Sequence, residues 1–197
     1  MKIFAFTDTH GDMAVLDEIK EKITVEPVDH VLCCGDITNF GASQERIVKK
    51  IASFPAHVMM IHGNHETAEG LMRDCEKYEN ITFLHSSAFR DGKFLFFGYG
   101  GDGFSVKDKT FRQVSERFMK DINKEDIAVM MFHGPPYGAL DETISGNSGN
   151  KDYRKAIEKI MPVKVFCGHI HESGGRKSIL GNTLVINPGP KGMFLDV

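Results

Sequence analysis

The 197-residue chain has no tryptophan, only four cysteines and seven prolines, and no surplus of positive charge. Lys plus Arg number 24 against 27 Asp plus Glu, a formal charge of -3. With no general basic field, a non-specific grip on nucleic-acid backbone or an anionic membrane is disfavoured. Long hydrophobic runs are missing as well. The longest, such as Ile127 to Phe132, falls far below the ~20 residues of a membrane-spanning helix. The opening run Met1 to Phe6 meets Asp8 and His10 at once, too soon for a signal-peptide core. Cys33, Cys34, Cys75 and Cys167 show no paired metal-ligand spacing, and three of them lie in apolar runs. Buried free thiols follow, and with them a reducing, cytoplasmic compartment.

What is present is an ordinary globular balance, 41% hydrophobic and 26% charged. It suits one domain over residues 1–197 with a substantial core. Fifteen phenylalanines can fill that core; nine histidines need another explanation.

Apolar runs of strand length alternate with segments of helical period. Lys2 to Thr7, His30 to Cys34 and Ala56 to Ile61 read as strands. Between and after them Val15/Leu16/Ile19/Ile23, Ile47/Val48/Ile51/Phe54 and Leu71/Met72/Cys75/Tyr78 recur at helix spacing, with Asp12 as the first N-cap. Three β-α units in a row predict a parallel sheet with covered faces. Ile81 to Leu84 is a further strand, and Ala88 to Tyr99 a hairpin turning at Asp91-Gly92. A helix carrying Phe111, Val114, Phe118 and Ile122 leads to the strand Ile127 to Phe132. The polar, Gly-rich stretch Gly134 to Asn150 has no period, as in a lid or binding loop. A helix through Tyr153, Ala156, Ile157 and Ile160, the strand Val163 to Cys167 and a hairpin over Arg176 to Asn187 complete the pattern. The class is α/β with mixed sheets.

Residues able to bind metal follow the core strands directly. They read Asp8-Thr9-His10-Gly11, Gly35-Asp36, Gly63-Asn64-His65-Glu66, His133-Gly134 and Gly168-His169-Ile170-His171. Ligands of open α/β sheets bind beyond the carboxyl ends of strands, so the five clusters are expected to converge. The set Asp8, His10, Asp36, Asn64, His133, His169 and His171 mixes oxygen and imidazole donors without a thiolate. Seven ligands exceed one tetrahedral zinc and suit two ions of higher coordination number, with a single carboxylate, Asp36, bridging them. Two metals ~3.5–4 Å apart can clamp the attacking and leaving oxygens of an in-line phosphoryl displacement.

The five blocks, in this order, resemble the calcineurin-like metallophosphoesterase superfamily, and His133-Gly-Pro-Pro with Gly168-His-Ile-His-Glu172 resembles its small phosphodiesterase branch. The resemblance implies a four-layer α-β-β-α sandwich around two mixed sheets. It implies one divalent transition ion on Asp8, His10, Asp36 and His171, and a second on Asp36, Asn64, His133 and His169. Manganese stands ahead of iron, zinc, nickel and cobalt. It also implies that a metal-bridging hydroxide attacks a small phosphodiester, a cyclic nucleotide being one example. Asp36 and His65 are the catalytic pair, His65 as proton donor or phosphate contact, and Asn64 and His65 meet the substrate. Asn187-Pro188-Gly189-Pro190 resembles a turn placed near such sites. A phosphomonoesterase or nucleotidase, or a metal-binding scaffold with little activity, is the alternative.

Simpler readings exist for single residues. Asp8 or Asp36 alone could cap a helix, and Asn64 could serve a turn. His30, His57, His62 and His85 stand outside the blocks and read as ordinary surface or core histidines. Glu66 could orient His65 or face solvent. Asn39 could lie near the substrate phosphate or simply serve its loop with Gly41. Tyr137, Asp141, Asn147 and Asn150 are candidate substrate contacts, and the Gly-rich stretch from Tyr99 to Phe104 is a plain turn or part of the cleft rim.

Overall fold

The computed structural model describes residues 1–101 and 103–197. The first half runs β1 (Lys2–Phe6), α1 (Met13–Val25), β2 (His30–Cys33), α2 (Gln44–Ala52), β3 (His57–Met60), α3 (Ala68–Cys75) and β4 (Ile81–Phe83). Then come β5 (Ser87–Asp91), β6 (Phe94–Tyr99), α4 (Lys109–Asp121), β7 (Ile127–Phe132), β8 (Glu142–Thr143) and β9 (Gly146–Asn147). The chain ends with α5 (Lys151–Ile160), β10 (Lys164–Phe166), β11 (Arg176–Leu180), β12 (Thr183–Asn187) and β13 (Met193–Asp196).

Two mixed sheets result. The first has the order β13-β1-β2-β3-β4, parallel from β1 to β4 and antiparallel at β13. The second has the order β11-β12-β10-β7-β6-β5, with parallel inner strands and antiparallel edges. Side-chain alternation along each strand divides the apolar residues into three layers. Phe4 and Phe6 join Leu16 and Ile19 of α1, Val48 of α2 and Leu71 of α3. Their neighbours Ile3 and Ala5 pack with Phe96, Val129, Met131, Phe166 and Ile186 between the sheets. Phe97, Met130 and Phe132 meet Phe111 and Phe118 of α4 and Tyr153 and Ile157 of α5. Helix, sheet, sheet, helix is the four-layer order the resemblance implied.

Local signals account for most boundaries. Asp12 caps α1 by accepting from the N–H groups of Ala14 and Val15, and the N-cap position of α2 is Ser43, so neither Asp8 nor Asp36 has that role. The hairpin β5–β6 turns at Gly92, whose φ of 55° suits glycine in a two-residue turn. Two features were not foreseen. The terminal run Met193–Asp196 forms an edge strand against β1. The stretch 134–150 is not patternless: β8 and β9 pair within it. Buried Asp141 accepts there from the Gly138 and Gly149 N–H groups, both at 3.0 Å, and from Asn147 Nδ2 at 2.7 Å. Asn150 caps α5. These residues organise their own loop. Among the described residues no helix is long and apolar enough to cross a membrane.

Phe166 is fully buried between the sheets. Phe166→Ala is expected to cost about 3–5 kcal/mol in urea unfolding; a loss below about 1 kcal/mol would show that this layer collapses around the missing ring.

Candidate metal centre

All five clusters lie just past β1, β2, β3, β7 and β10, and backbone hydrogen bonds carry the pairing beyond the strands. Asp8 N–H donates to Gly35 O at 3.0 Å, His10 N–H to Asp36 O at 3.0 Å, and Gly168 N–H to His133 O at 2.7 Å. The turns that follow are sharp. Asp8, His10, Asp36 and His169 have φ of 55°, 44°, 50° and 68°, left-handed values that each cost a non-glycine residue of order 1–3 kcal/mol. Space is equally restricted. A Cβ on Gly63 would lie 2.0 Å from Asp36 Oδ1, and one on Gly168 would lie 2.6 Å from Asp8 Oδ2. Glycine is needed there for close approach rather than for flexibility.

The seven expected ligands come together around Asp36. Its Oδ2 lies 3.4 Å from His133 Nε2 and 4.0 Å from His10 Nε2. His171 Nε2 is 3.1 Å from His10 Nε2 and 3.8 Å from Asp8 Oδ1. On the other side Asn64 Oδ1 lies 3.0 Å from His133 Nε2 and 2.9 Å from His169 Nδ1. Among the described residues, three overlapping groups have ligand atoms within 4.8 Å of one another: Asp8/His10/His171, His10/Asp36/His65 and Asp36/His133/His169.

The ring tautomers suit cation binding. His133 Nδ1 lies 2.9 Å from Cys34 O and His10 Nδ1 lies 3.3 Å from Thr38 O. A carbonyl only accepts, so both Nδ1 atoms donate, and each neutral ring presents its Nε2 lone pair to the cluster. The Nε2 lone pair of His133 then faces the Asn64 oxygen, and two acceptors this close call for a proton or a cation between them. The residues therefore fit divalent ions. Burial would raise the Asp36 carboxyl, but the hydrogen bond and charge of His133 in its protonated form, the His65 backbone N–H and the His65 charge together hold it at about 2. Burial likewise pushes His133 down, and the Asp36 hydrogen bond and charge reverse this to a net rise. Asp8 is pushed up by burial.

Residues 1–173 match the calcineurin-like phosphoesterase family. The chain belongs to this family. Calcineurin-like phosphoesterases use divalent metal ions. One relative, an uncharacterized protein of Methanocaldococcus jannaschii, is 29% identical over 99% of this chain and 91% of its own length. A probable glycerophosphodiester phosphodiesterase of Arcobacter nitrofigilis is 30% identical over 73% of this chain and 56% of its own length. A Thermus thermophilus protein of known structure has a similar fold, with a TM-score of 0.76 and 16% identity over 95% of this chain and 88% of that one.

Glu66 neither orients His65 nor faces solvent. Its buried carboxylate accepts from the N–H groups of Asp36 at 3.1 Å, Gly63 at 3.0 Å and Thr38 at 2.8 Å, and from the Thr38 hydroxyl at 2.6 Å. It ties together the turns after β2 and β3, which carry Asp36 and Asn64. His65 is held instead by Phe40: the Phe40 N–H donates to His65 Nδ1 at 3.3 Å, and the two rings stack at 4.1 Å. Sequence periodicity carries no signal for either contact, because both join one loop to another.

The central cleft, about 430 Å³, is lined by the candidate ligands His10, Asp36, Asn64, His169 and His171 together with His65, Asn39 and Phe104. Asn187, Gly189 and Pro190 line a smaller recess beside Asp8, His10 and His171, as the turn resemblance implied. Of the stretch Tyr99 to Phe104, residue 102 lies outside the described residues, and Phe104 reaches the cleft. Tyr137 packs instead beneath Lys151. His30 and His57 bond to each other and to Asp91 and Thr82, among the β2, β3, β4 and β5 residues. His85 accepts from Gly100 N–H at 3.0 Å. Its neighbour His62 is pushed down to about 4 by burial, with His85 and His133 adding to the effect.

Glu66→Ala leaves three buried N–H groups without their acceptor and is expected to lower stability by about 3 kcal/mol or more and to weaken metal uptake. Parallel urea unfolding and metal titration would show both. An unchanged unfolding midpoint would contradict the clamp.

Proposed function

We propose that the chain is a phosphodiesterase with two divalent ions, one held by Asp8, His10, Asp36 and His171 and one by Asp36, Asn64, His133 and His169. The observation that carries this reading is the position of one carboxylate oxygen. Asp36 Oδ2 faces His10 on one side and His133 on the other, at 4.0 and 3.4 Å. A carboxylate held charged between two histidine groups is suited to bridging. When bound, the ions supply Lewis acidity toward phosphoryl oxygens and make water a nucleophile near neutral pH. Mixed imidazole and oxygen donors accept manganese, iron, cobalt, nickel or zinc, and manganese is our first choice.

The remaining chemistry falls to side chains. His65 Nδ1 accepts from Phe40 N–H, so the neutral ring carries its proton on Nε2. That atom lies 3.9 Å from Asp36 Oδ2, and His65 lines the cleft. From there the Nε2–H can donate a hydrogen bond to a phosphoryl oxygen and to the charge that develops on the leaving oxygen, while Asp36 stays ionised. Asn64, next in the chain, shares the cleft and can steady the same phosphate.

A diester is favoured over a monoester by what the cleft lacks. Among the described residues no lysine or arginine lines it. A monoester dianion gains from further cationic side chains, whereas a diester carries one negative charge. The similarity to a probable glycerophosphodiester phosphodiesterase supports the same choice. Four free, buried cysteines suit a reducing, cytoplasmic setting.

Manganese-loaded protein is expected to hydrolyse bis-p-nitrophenyl phosphate with a kcat/KM at least about tenfold above that for p-nitrophenyl phosphate. His65→Ala should lower kcat by about 10²–10³ with a smaller effect on KM. The reverse substrate order would establish the monoesterase alternative, and no turnover of either ester would leave the scaffold.

A further inference from the structure

Two phenylalanines stand in water at the cleft. Phe40 is 79% exposed and Phe104 is 65% exposed, while most of the aromatic residues of this chain fill the three apolar layers. A single exposed apolar side chain needs no explanation. These two are not scattered. Phe40 lies flat on His65, with centroids 4.1 Å apart and planes 21° apart. Phe104 stands edge-on to His169, with centroids 4.0 Å apart and planes 77° apart, and lines the cleft itself. Each ring therefore rests on a histidine wall of the same cleft.

Phe40 is held there against its backbone preference. Its φ of 50° is left-handed, and it begins a turn in which Gly41 and Ser43 are left-handed too, at 78° and 57°. A bulky residue in that conformation is strained, and glycine or asparagine would serve the turn more cheaply. Retaining phenylalanine is then explained by its ring. Beside it Asn39 lines the cleft, and among the described residues its side-chain amide has no hydrogen-bond partner. An amide offers one donor pair and one acceptor, which suits the edge of a heteroaromatic ring.

We propose that Phe40 and Phe104 form an aromatic seat that selects phosphoesters carrying a planar ring on the alcohol, with Asn39 reading the ring edge. This deepens the phosphodiesterase reading and rests on it. The ring comes from a nucleobase or from a simple aryl group, and the two differ in the edge they present to Asn39. Stacking on an aromatic side chain strengthens binding by about five- to a hundredfold per ring.

The test is calorimetric binding to the manganese-loaded chain of three phosphates with the same reacting group: adenosine 5′-monophosphate, phenyl phosphate and ribose 5-phosphate. At least one ring-bearing phosphate should bind about tenfold or more tighter than ribose 5-phosphate. Phe40→Ala and Phe104→Ala should each reduce that ratio, and Phe→Tyr at either position should restore it. A nucleobase is the occupant if adenosine 5′-monophosphate leads and Asn39→Ala reduces its advantage. An aryl group is the occupant if phenyl phosphate leads and Asn39→Ala has no effect. Equal binding of all three, or a ratio untouched by both alanine variants, would overturn the seat while leaving the phosphoester site standing. Failure of all three to bind metal-loaded protein would overturn the seat, and the phosphodiesterase reading would fall with it only if bis-p-nitrophenyl phosphate were not hydrolysed either.

Discussion

Asp36 is a buried carboxylate that has to stay charged, and much of the molecule can be understood from that requirement. An ionised group out of water is costly unless it is paired and hydrogen-bonded. Here one oxygen accepts the His65 N–H at 2.9 Å and the other faces His133. A second buried carboxylate, Glu66, grips the backbone on either side of it. These contacts require β2 and β3 to end side by side, glycine at position 63, and a left-handed turn at Asp36 itself. The two sheets then need only bring β7 and β10 of the second beside β1 and β2 of the first. The inter-sheet layer of Ile3, Leu32, Met59, Val129, Met131 and Phe166 accomplishes this.

Stability and function pull against each other at the strand ends. Four of the seven candidate ligands occupy left-handed conformations, and the cluster sets lone pairs against lone pairs. The compensation lies in the parallel strands below, whose side chains are almost wholly buried. A rigid β platform thus holds loops that would not keep these shapes alone.

The sequence made the elements legible where periodicity and burial agree. All five helices and the long strands follow from apolar spacing, and the metal-binding residue types could be located because each cluster directly follows such a strand. The resemblance supplied the four layers, which spacing alone did not. Other features were silent for physical reasons. β13 is only four residues long and lies at an edge, where a short apolar run has no pattern to display. The role of Glu66 depends on three backbone groups at positions 36, 38 and 63, a constellation no local window contains. Phe40 and Phe104 look like any other core phenylalanine until their exposure is known. Asp141 and Asn150 read as polar loop residues, yet one is the internal acceptor of its loop and the other a helix cap.

The central claim is that one carboxylate joins two metal positions. Its most direct test is metal content after reconstitution with manganese and removal of excess, measured for the wild-type chain and for Asp36→Asn. About two ions per chain are expected for the wild type and at most one for the variant, with the variant's fold intact by circular dichroism. Two ions retained by Asp36→Asn, or none taken up by the wild type, would contradict the bridging role of Asp36.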